Sequence, residues 1–165
     1  MLLRRETAVD VPVVDEVHRS AFRRAVEAEL VLALRADRGW VPALSLVAQD
    51  AGGRVVGHVV GTLGRVGDVP VVGLGPLGVR PGQQGRGTGQ ALVHAVLAAA
   101  DALDLPLAVL LGAPGYYARF GFVPASSLGI SAPDPAWGEH FQARALSAYR
   151  GERGPFAYAA PFADL

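Results

Sequence analysis

The chain reads as an α+β (mixed α/β) domain with a largely antiparallel central sheet flanked by helices. Two helical patterns come first, with apolar residues three and four apart. A meander of strands follows, its first turn marked by Asp50-Ala51-Gly52-Gly53. The order strand, helix, strand, short helix, strand then closes the sequence. At 165 residues the length fits one domain, 1–165, able to bury roughly two-thirds of its unfolded surface.

Each element has its own signal. Leu2 to Glu6 suits a short first strand. Thr7 and Asp10 form a capping-box pattern ahead of Val13, Val14, Val17 and Ala21, which recur at helical spacing. A second helix is expected from Ala25 to Arg35, with Val26, Leu30, Ala33 and Leu34 inward and Gly39 and Pro42 ending the pattern. Leu44–Gln49 and Arg54–Leu63 read as a hairpin, and Gly64 to Pro70 as a turn. Val71–Val79 reads as a strand that Pro76 marks as an edge or a bulge. A helix runs from the glycine-rich turn to about Leu103. Pro106 leads into a buried strand, Leu107–Leu111. A short helix is expected at Tyr116–Phe120, a last core strand from Phe122-Val123, a surface loop from Ala125 to Gly138 and a further strand over His140–Leu146. Phe156, Tyr158 and Phe162 alternate in the tail.

Composition narrows the function. Charged residues make up 18% against a norm of about 25%, and the formal net charge is zero, so nothing favours nucleic acid or an anionic membrane as partner. All fifteen basic residues are Arg. The absence of Cys removes disulfides, thiol nucleophiles and thiolate metal sites together, and no ligand cluster suggests a metal. No apolar run reaches the roughly 18 residues of a membrane span, and Arg4, Arg5, Glu6 and Asp10 stand where a leader would need an apolar core. A cytoplasmic protein is expected.

The stretch Val79-Arg-Pro-Gly-Gln-Gln-Gly-Arg-Gly-Thr-Gly-Gln-Ala-Leu92 carries the most chemistry. A strand ends at Val79, a glycine-rich turn follows and a helix begins. The first N–H groups of a helix lack internal partners and carry partial positive charge. Glycines beside them let a phosphate approach the backbone. A Walker loop is excluded because the chain has no Lys. A G-x-G-x-x-G match at Gly73, Gly75 and Gly78 contains Pro76, lies inside a strand and precedes no helix. It therefore lacks the setting of a dinucleotide site.

Gln84-Gly85-Arg86-Gly87-Thr88-Gly89 fits Q/R-x-x-G-x-G/A directly after the strand ending Pro76-Leu77-Gly78-Val79. Downstream, Tyr117-Ala-Arg-Phe-Gly121-Phe122 fits Tyr-x-x-x-Gly-Phe at a distance that accommodates one helix and one strand. Together these resemble the GCN5-related N-acetyltransferase (GNAT) superfamily, and Tyr-Tyr-x-Arg-Phe-Gly-Phe is similar to one subgroup of predicted N-acetyltransferases. The resemblance implies a sheet of about six to seven strands with splayed central strands. It divides the domain into helices and strands at 1–63, an acetyl-CoA-binding strand, loop and helix at 70–103, and a C-terminal part at 107–165.

The implied reaction is transfer of an acetyl group from acetyl-CoA, as cosubstrate, to a primary amine by direct attack. The resemblance implies that Gln84, Gly85, Arg86, Gly87, Thr88 and Gly89 hold the pyrophosphate. A backbone N–H of Leu77, Gly78 or Val79 polarises the thioester carbonyl, and Tyr117 protonates the departing thiolate. Tyr116 fits the Gly-Phe spacing less well. The family's Asn ahead of the tyrosine is missing, with Gly112-Ala113-Pro114 in its region.

No general base is evident. Neither Asp nor Glu occurs between Asp68 and Asp101, nor between Asp104 and Asp134. An ordered water, Glu27, Glu29, Glu139 or His140 are the alternatives, while His58 and His94 read as packing or surface residues. The acceptor is a small-molecule or peptide amine that the sequence does not identify. Trp40 and Phe22 are candidates for its pocket, although core packing is the commoner use of aromatics there. The tail offers a homodimer contact. The missing base also leaves open a module that binds or senses acyl-CoA without turnover.

Overall fold

A computed structural model describes all residues from Met1 to Leu165. In chain order the elements are β1 (Leu2–Arg5), α1 (Val11–Phe22), α2 (Val26–Ala36), β2 (Trp40–Gln49), β3 (Val55–Val66), β4 (Val69–Val79), α3 (Thr88–Ala102), β5 (Leu107–Leu111), α4 (Pro114–Tyr117), β6 (Val123–Pro124), β7 (Ile130–Ser131), β8 (Phe141–Ala145) and β9 (Gly154–Ala157). The sheet order is β1-β2-β3-β4-β5-β8-β6, with β9 against the end of β3 and against β7. Pairing within the main path is antiparallel except between β4 and β5. This is the expected class and a GNAT-like architecture.

The capping box forms as the sequence suggests. The backbone N–H and the hydroxyl of Thr7 both donate to Asp10 at 2.8 Å, and Arg4 grips the same carboxylate with two N–H groups. A single 3-10 turn (Ala8–Asp10) intervenes, so the α-helix itself starts at Val11. Arg23, in a left-handed conformation (φ 56°), ends α1.

Several boundaries move. β2 begins at Trp40 rather than Leu44, and the turn expected from Gly64 to Pro70 shrinks to Gly67-Asp68 because β3 and β4 extend toward each other. Pro76 sits in a central strand, not at an edge. The β3–β4 register moves from Val59↔Leu77 to Gly61↔Leu74, so β4 carries an extra residue there. Gly75, at φ 124°, supplies the backbone conformation the bulge needs. The strand expected from Phe122-Val123 is only Val123–Pro124, at the sheet edge. Phe122 and Phe120 supply core instead.

The decisive departure from a regular sheet lies between β4 and β5. They pair at Val72↔Ala108 and Gly73↔Val109 only, then diverge while β4 continues to Val79. Helix α3 covers one face with Leu92, Val93, Val96, Leu97 and Ala100 against Leu46, Val56, Val72 and Leu74. Helices α1 and α2 cover the other with Val14, Val17, Leu30, Val31 and Leu34. The tail aromatics pack within this chain. Phe156 is buried, Tyr158 stacks on Phe162 at 4.3 Å, and the Tyr158 ring lies where a side chain at Gly73 would stand.

Because α3 buries Leu92 completely beneath the sheet, Leu92→Ala is expected to lower stability by about 2–5 kcal/mol, measured as a reduced urea midpoint with an unchanged slope.

Candidate active site

The split, the glycine turn and the start of α3 meet at one cleft of about 440 Å³, lined by Leu77, Val79, Gln84, Gly85, Gly87, Gly89, Gln90, Tyr116 and Arg119. Gly85 (φ 72°) and Gly87 (φ 84°) are left-handed, and Gly87 is the residue that caps α3. Other side chains are strained in that conformation. The first backbone bond of α3 runs from Ala91 N–H to Gly87 C=O at 2.9 Å, so the N–H groups of Thr88, Gly89 and Gln90 have no partner within the helix. Gly89 keeps the approach open, since a Cβ there would lie 3.1 Å from the Tyr116 hydroxyl.

The remaining sequence-selected residues divide by role. Gln84 donates through Nε2 to the Val79 carbonyl at 2.9 Å and so ties the turn back onto β4. Arg86 is exposed at the turn. Thr88 is buried, its methyl directed at Gly57 of β3. Arg80 N–H donates to Val56 C=O at 2.9 Å. In an antiparallel ladder that makes Arg80 and Gly78 face β3, while Leu77 and Val79 turn their N–H groups the other way, into the split. Gly78 instead offers its bare Cα to α1. A Cβ there would come within 2.9 Å of His18 Nδ1.

The two tyrosines occupy different places. Tyr116 lines the cleft, with the Arg119 guanidinium 4.7 Å from its ring centre. Tyr117 packs edge-on against Tyr116 and Phe122 and covers Gly112. Burial, and secondarily Tyr116, pushes the Tyr117 phenol up to about 12. Gln90, Tyr116 and Arg119 were not selected from sequence. Tyr116 and Arg119 were legible as neighbours within the Tyr-Tyr-x-Arg run, and Gln90 as a residue of the first turn of α3.

None of the carboxylates or histidines considered as a base lines this cleft. Glu27 pairs with Arg24 at the start of α2, and Glu29, Glu139 and His140 are exposed. Trp40 packs with the α1–α2 core and stacks under Arg35, and Phe22 stacks on His18 at 6.0 Å. His94 is exposed beside Phe120. His58 is buried as expected of a packing residue, but within a polar network. Its Nδ1 meets His18 Nε2 at 2.8 Å, and its Nε2 meets Ser45 Oγ at 2.9 Å and Glu6 Oε2 at 3.1 Å. The other oxygen of Glu6 accepts from Arg35 Nε at 2.7 Å. The sequence signal for His18 was its position one residue after Val17 and four after Val14, on the inward face of α1.

The family model described as "Acetyltransferase (GNAT) family" matches residues 13–122. The chain is 35% identical over 151 residues to the N-acetyltransferase YhbS of Escherichia coli K12, covering 89% of this chain and 88% of that protein. The chain belongs to the GNAT acetyltransferase family. The GNAT protein YhbS has a crystal structure in complex with CoA that superposes with a TM-score of 0.90 at 32% identity, covering 98% of this chain and 91% of that one. A GNAT acetyltransferase of Brucella melitensis in complex with acetyl-CoA gives 0.80 at 33% identity, covering 98% and 97%. This GNAT chain is thus an acetyltransferase, and no helix in it is long and apolar enough to cross a membrane.

Two outcomes follow. Gly87→Val forces a side chain into a left-handed cap beside the bare N–H groups. It is expected to remove most of the thermal stabilisation that saturating acetyl-CoA provides, roughly 5–10 °C for the unaltered chain, read by melting with and without ligand. The second concerns acid. Burial, then the His58 and Arg35 charges, hold His18 down to about 3, and burial likewise lowers His58. The native state therefore binds fewer protons than the unfolded chain. This contribution to stability is present above about pH 6.5 and lost as pH falls toward 3. The urea midpoint should fall from pH 6.5 to 4, and fall less in His18→Leu.

Proposed function

We propose that the protein transfers the acetyl group of acetyl-CoA to the primary amine of a small molecule or peptide. The observation that carries this reading is the cleft itself. It joins two left-handed glycines and the unpaired N–H groups of α3, suited to a pyrophosphate, to a strand edge whose N–H groups face a gap between parallel strands. CoA and acetyl-CoA in the two related crystal structures support the same cosubstrate.

In this reading the pantetheine arm lies along β4 in the split, and an N–H of Leu77 or Val79 donates to the thioester oxygen as negative charge develops there. Tyr116, Arg119 and Arg86 flank the phosphates. The amine nitrogen attacks the carbonyl carbon, the C–N bond forms and the C–S bond then breaks. Tyr117 gives its proton to the leaving thiolate. Its raised pKa keeps it protonated at working pH and makes it a weaker acid, so donation relies on the thiolate being the stronger base in the same desolvated space. The phenolate recovers a proton from water.

With no Cys in the chain, thiol release is measurable directly with a thiol reagent. CoA release with at least one member of a panel of primary amines is expected. Acetyl-CoA binding with no release for any amine would favour an acyl-CoA-binding module instead. Tyr117→Phe is expected to lower kcat by about 10²-fold or more while leaving the acetyl-CoA dissociation constant within about threefold. An unchanged kcat would remove Tyr117 from the chemistry.

A further inference from the structure

On the α1 side, β4 carries three glycines along the stretch where it leaves β5. Gly73 is buried under the Tyr158 ring and Gly78 under His18. Gly75, between them, is only half-buried, and a Cβ there would meet nothing within 4 Å. Gly75 and Pro76 together oppose the single residue Val60, whose side chain belongs to the α1–α2 core. The bulge therefore turns Gly75 to that same face. A central strand is thus bare and uncovered at one place, two residues before the Leu77 N–H that faces the split.

Three aromatic rings and one leucine stand round this opening. Helix α1 starts at Asp10, held by Arg4 of β1, and reaches β4 where His18 meets Gly78. It therefore crosses the sheet from β1 towards β4. Phe22 is four residues further on, about 6 Å along the axis, so its half-buried ring stands beyond β4, over the split. Tyr158 marks the vertex, because Gly73 is the last residue of β4 that pairs with β5. Burial alone raises its phenol, which stays neutral. Trp137, also half-buried, lies 6.3 Å from Tyr158 and 5.9 Å from Phe141, the partner of Leu111 across β5 and β8. Leu111 shares a face of β5 with the fully buried Leu107 and Val109, yet it is 45% exposed. The apolar row of β5 thus runs out beside the opening, and none of these four side chains is charged.

We propose that this opening takes the acceptor, and that the acceptor is a primary amine with a flat apolar body a few carbons from its nitrogen. The inference rests on the N-acetyltransferase reading above. In that reading CoA lies on the α3 side, with the glycine turn and Tyr116. The amine must reach the same carbonyl from the direction left free, which is the α1 side. Two residues of strand place the Leu77 N–H roughly 7 Å from Gly75, the reach of a phenylalkylamine whose ring fills the opening. Apolar surroundings disfavour the ammonium form, so the amine sheds its first proton to water as it enters. Its nitrogen bonds to the thioester carbon, the C–S bond breaks, and the surplus proton on nitrogen leaves to water while Tyr117 protonates the thiolate. Phe22, Trp137, Leu111 and Tyr158 set specificity and take no part in proton transfer.

The test follows thiol release at saturating acetyl-CoA with 2-phenylethylamine, n-propylamine and spermidine. It compares the unaltered protein with Phe22→Ala and Leu111→Ser. For the unaltered protein, kcat/KM for 2-phenylethylamine should exceed that for n-propylamine by about tenfold or more, with spermidine no better than n-propylamine. In both variants that ratio should fall to about threefold or less, with KM for acetyl-CoA little changed. Equal use of the three amines, or a preference for spermidine, overturns the substrate class and leaves the acetyltransferase reading standing. A phenylethylamine preference that both variants retain in full overturns the placement of the acceptor. No CoA release with any amine overturns the acetyltransferase reading and this inference with it. Should Phe22→Ala not melt cooperatively, Leu111→Ser decides alone, since that side chain is exposed and its loss spares the core.

Discussion

Two neighbouring parallel strands share only two paired positions, and most of the chemistry of this fold follows from that failure to pair. Backbone N–H and C=O groups are obligatory hydrogen-bonding groups. A strand that diverges from its neighbour in mid-sheet therefore exposes donors and acceptors in a place no ordinary loop provides. β4 leaves β5 after Gly73 and Val109 yet remains tied to β3 as far as Val79. Its free edge is consequently rigid as well as unpaired. The bulge at Gly75-Pro76 lies within this free stretch, where an extra residue disturbs only the β3 side.

The two faces of the split have different characters. On the α3 side the cleft is built from backbone, with glycines at 85, 87 and 89 and a helix start, so its shape depends on absent side chains. On the α1 side β4 presents Gly73 and Gly78 to side chains from elsewhere, the Tyr158 ring and the His18 imidazole. The same strand thus leaves its edge unpaired in the split and turns its bare face to groups brought by a helix and by the tail. The polar network under α1 draws one side chain from each of β2, β3, α1 and α2, and Glu6 from just beyond β1. Its geometry is fixed by the packing of those elements and not by any local motif.

Much of this was legible in the sequence because the signals are local. Thr7 and Asp10 marked the first cap, Asp50-Ala51-Gly52-Gly53 marked the first hairpin, and the Gln84–Gly89 run marked the glycine turn ahead of α3. Boundaries failed where pairing overrides propensity. Trp40 and Val41 join β2 despite Pro42, and residues 64–66 continue β3 because β4 and β9 pair with them. Val123 had the pattern of a core strand, but only an edge was available to it. The tail aromatics, readable as a contact between copies, had partners on their own chain that lie far away in sequence.

The sequence by itself determined the elements, the left-handed turn that must be glycine, the absence of thiol chemistry and the family to which the pattern belongs. Each of these depends on residues within a few positions of one another. Only the tertiary structure decided that Tyr116 rather than Tyr117 lines the cleft, that Gly78 turns its Cα to His18, and that Glu6, Ser45, His58 and His18 form one chain. The hydrogen bonds of that chain join residues 13 to 52 positions apart. A histidine in a helical stripe looks the same in sequence whether it faces a leucine or another imidazole. Its hydrogen-bond partners are residues that the fold alone brings within reach.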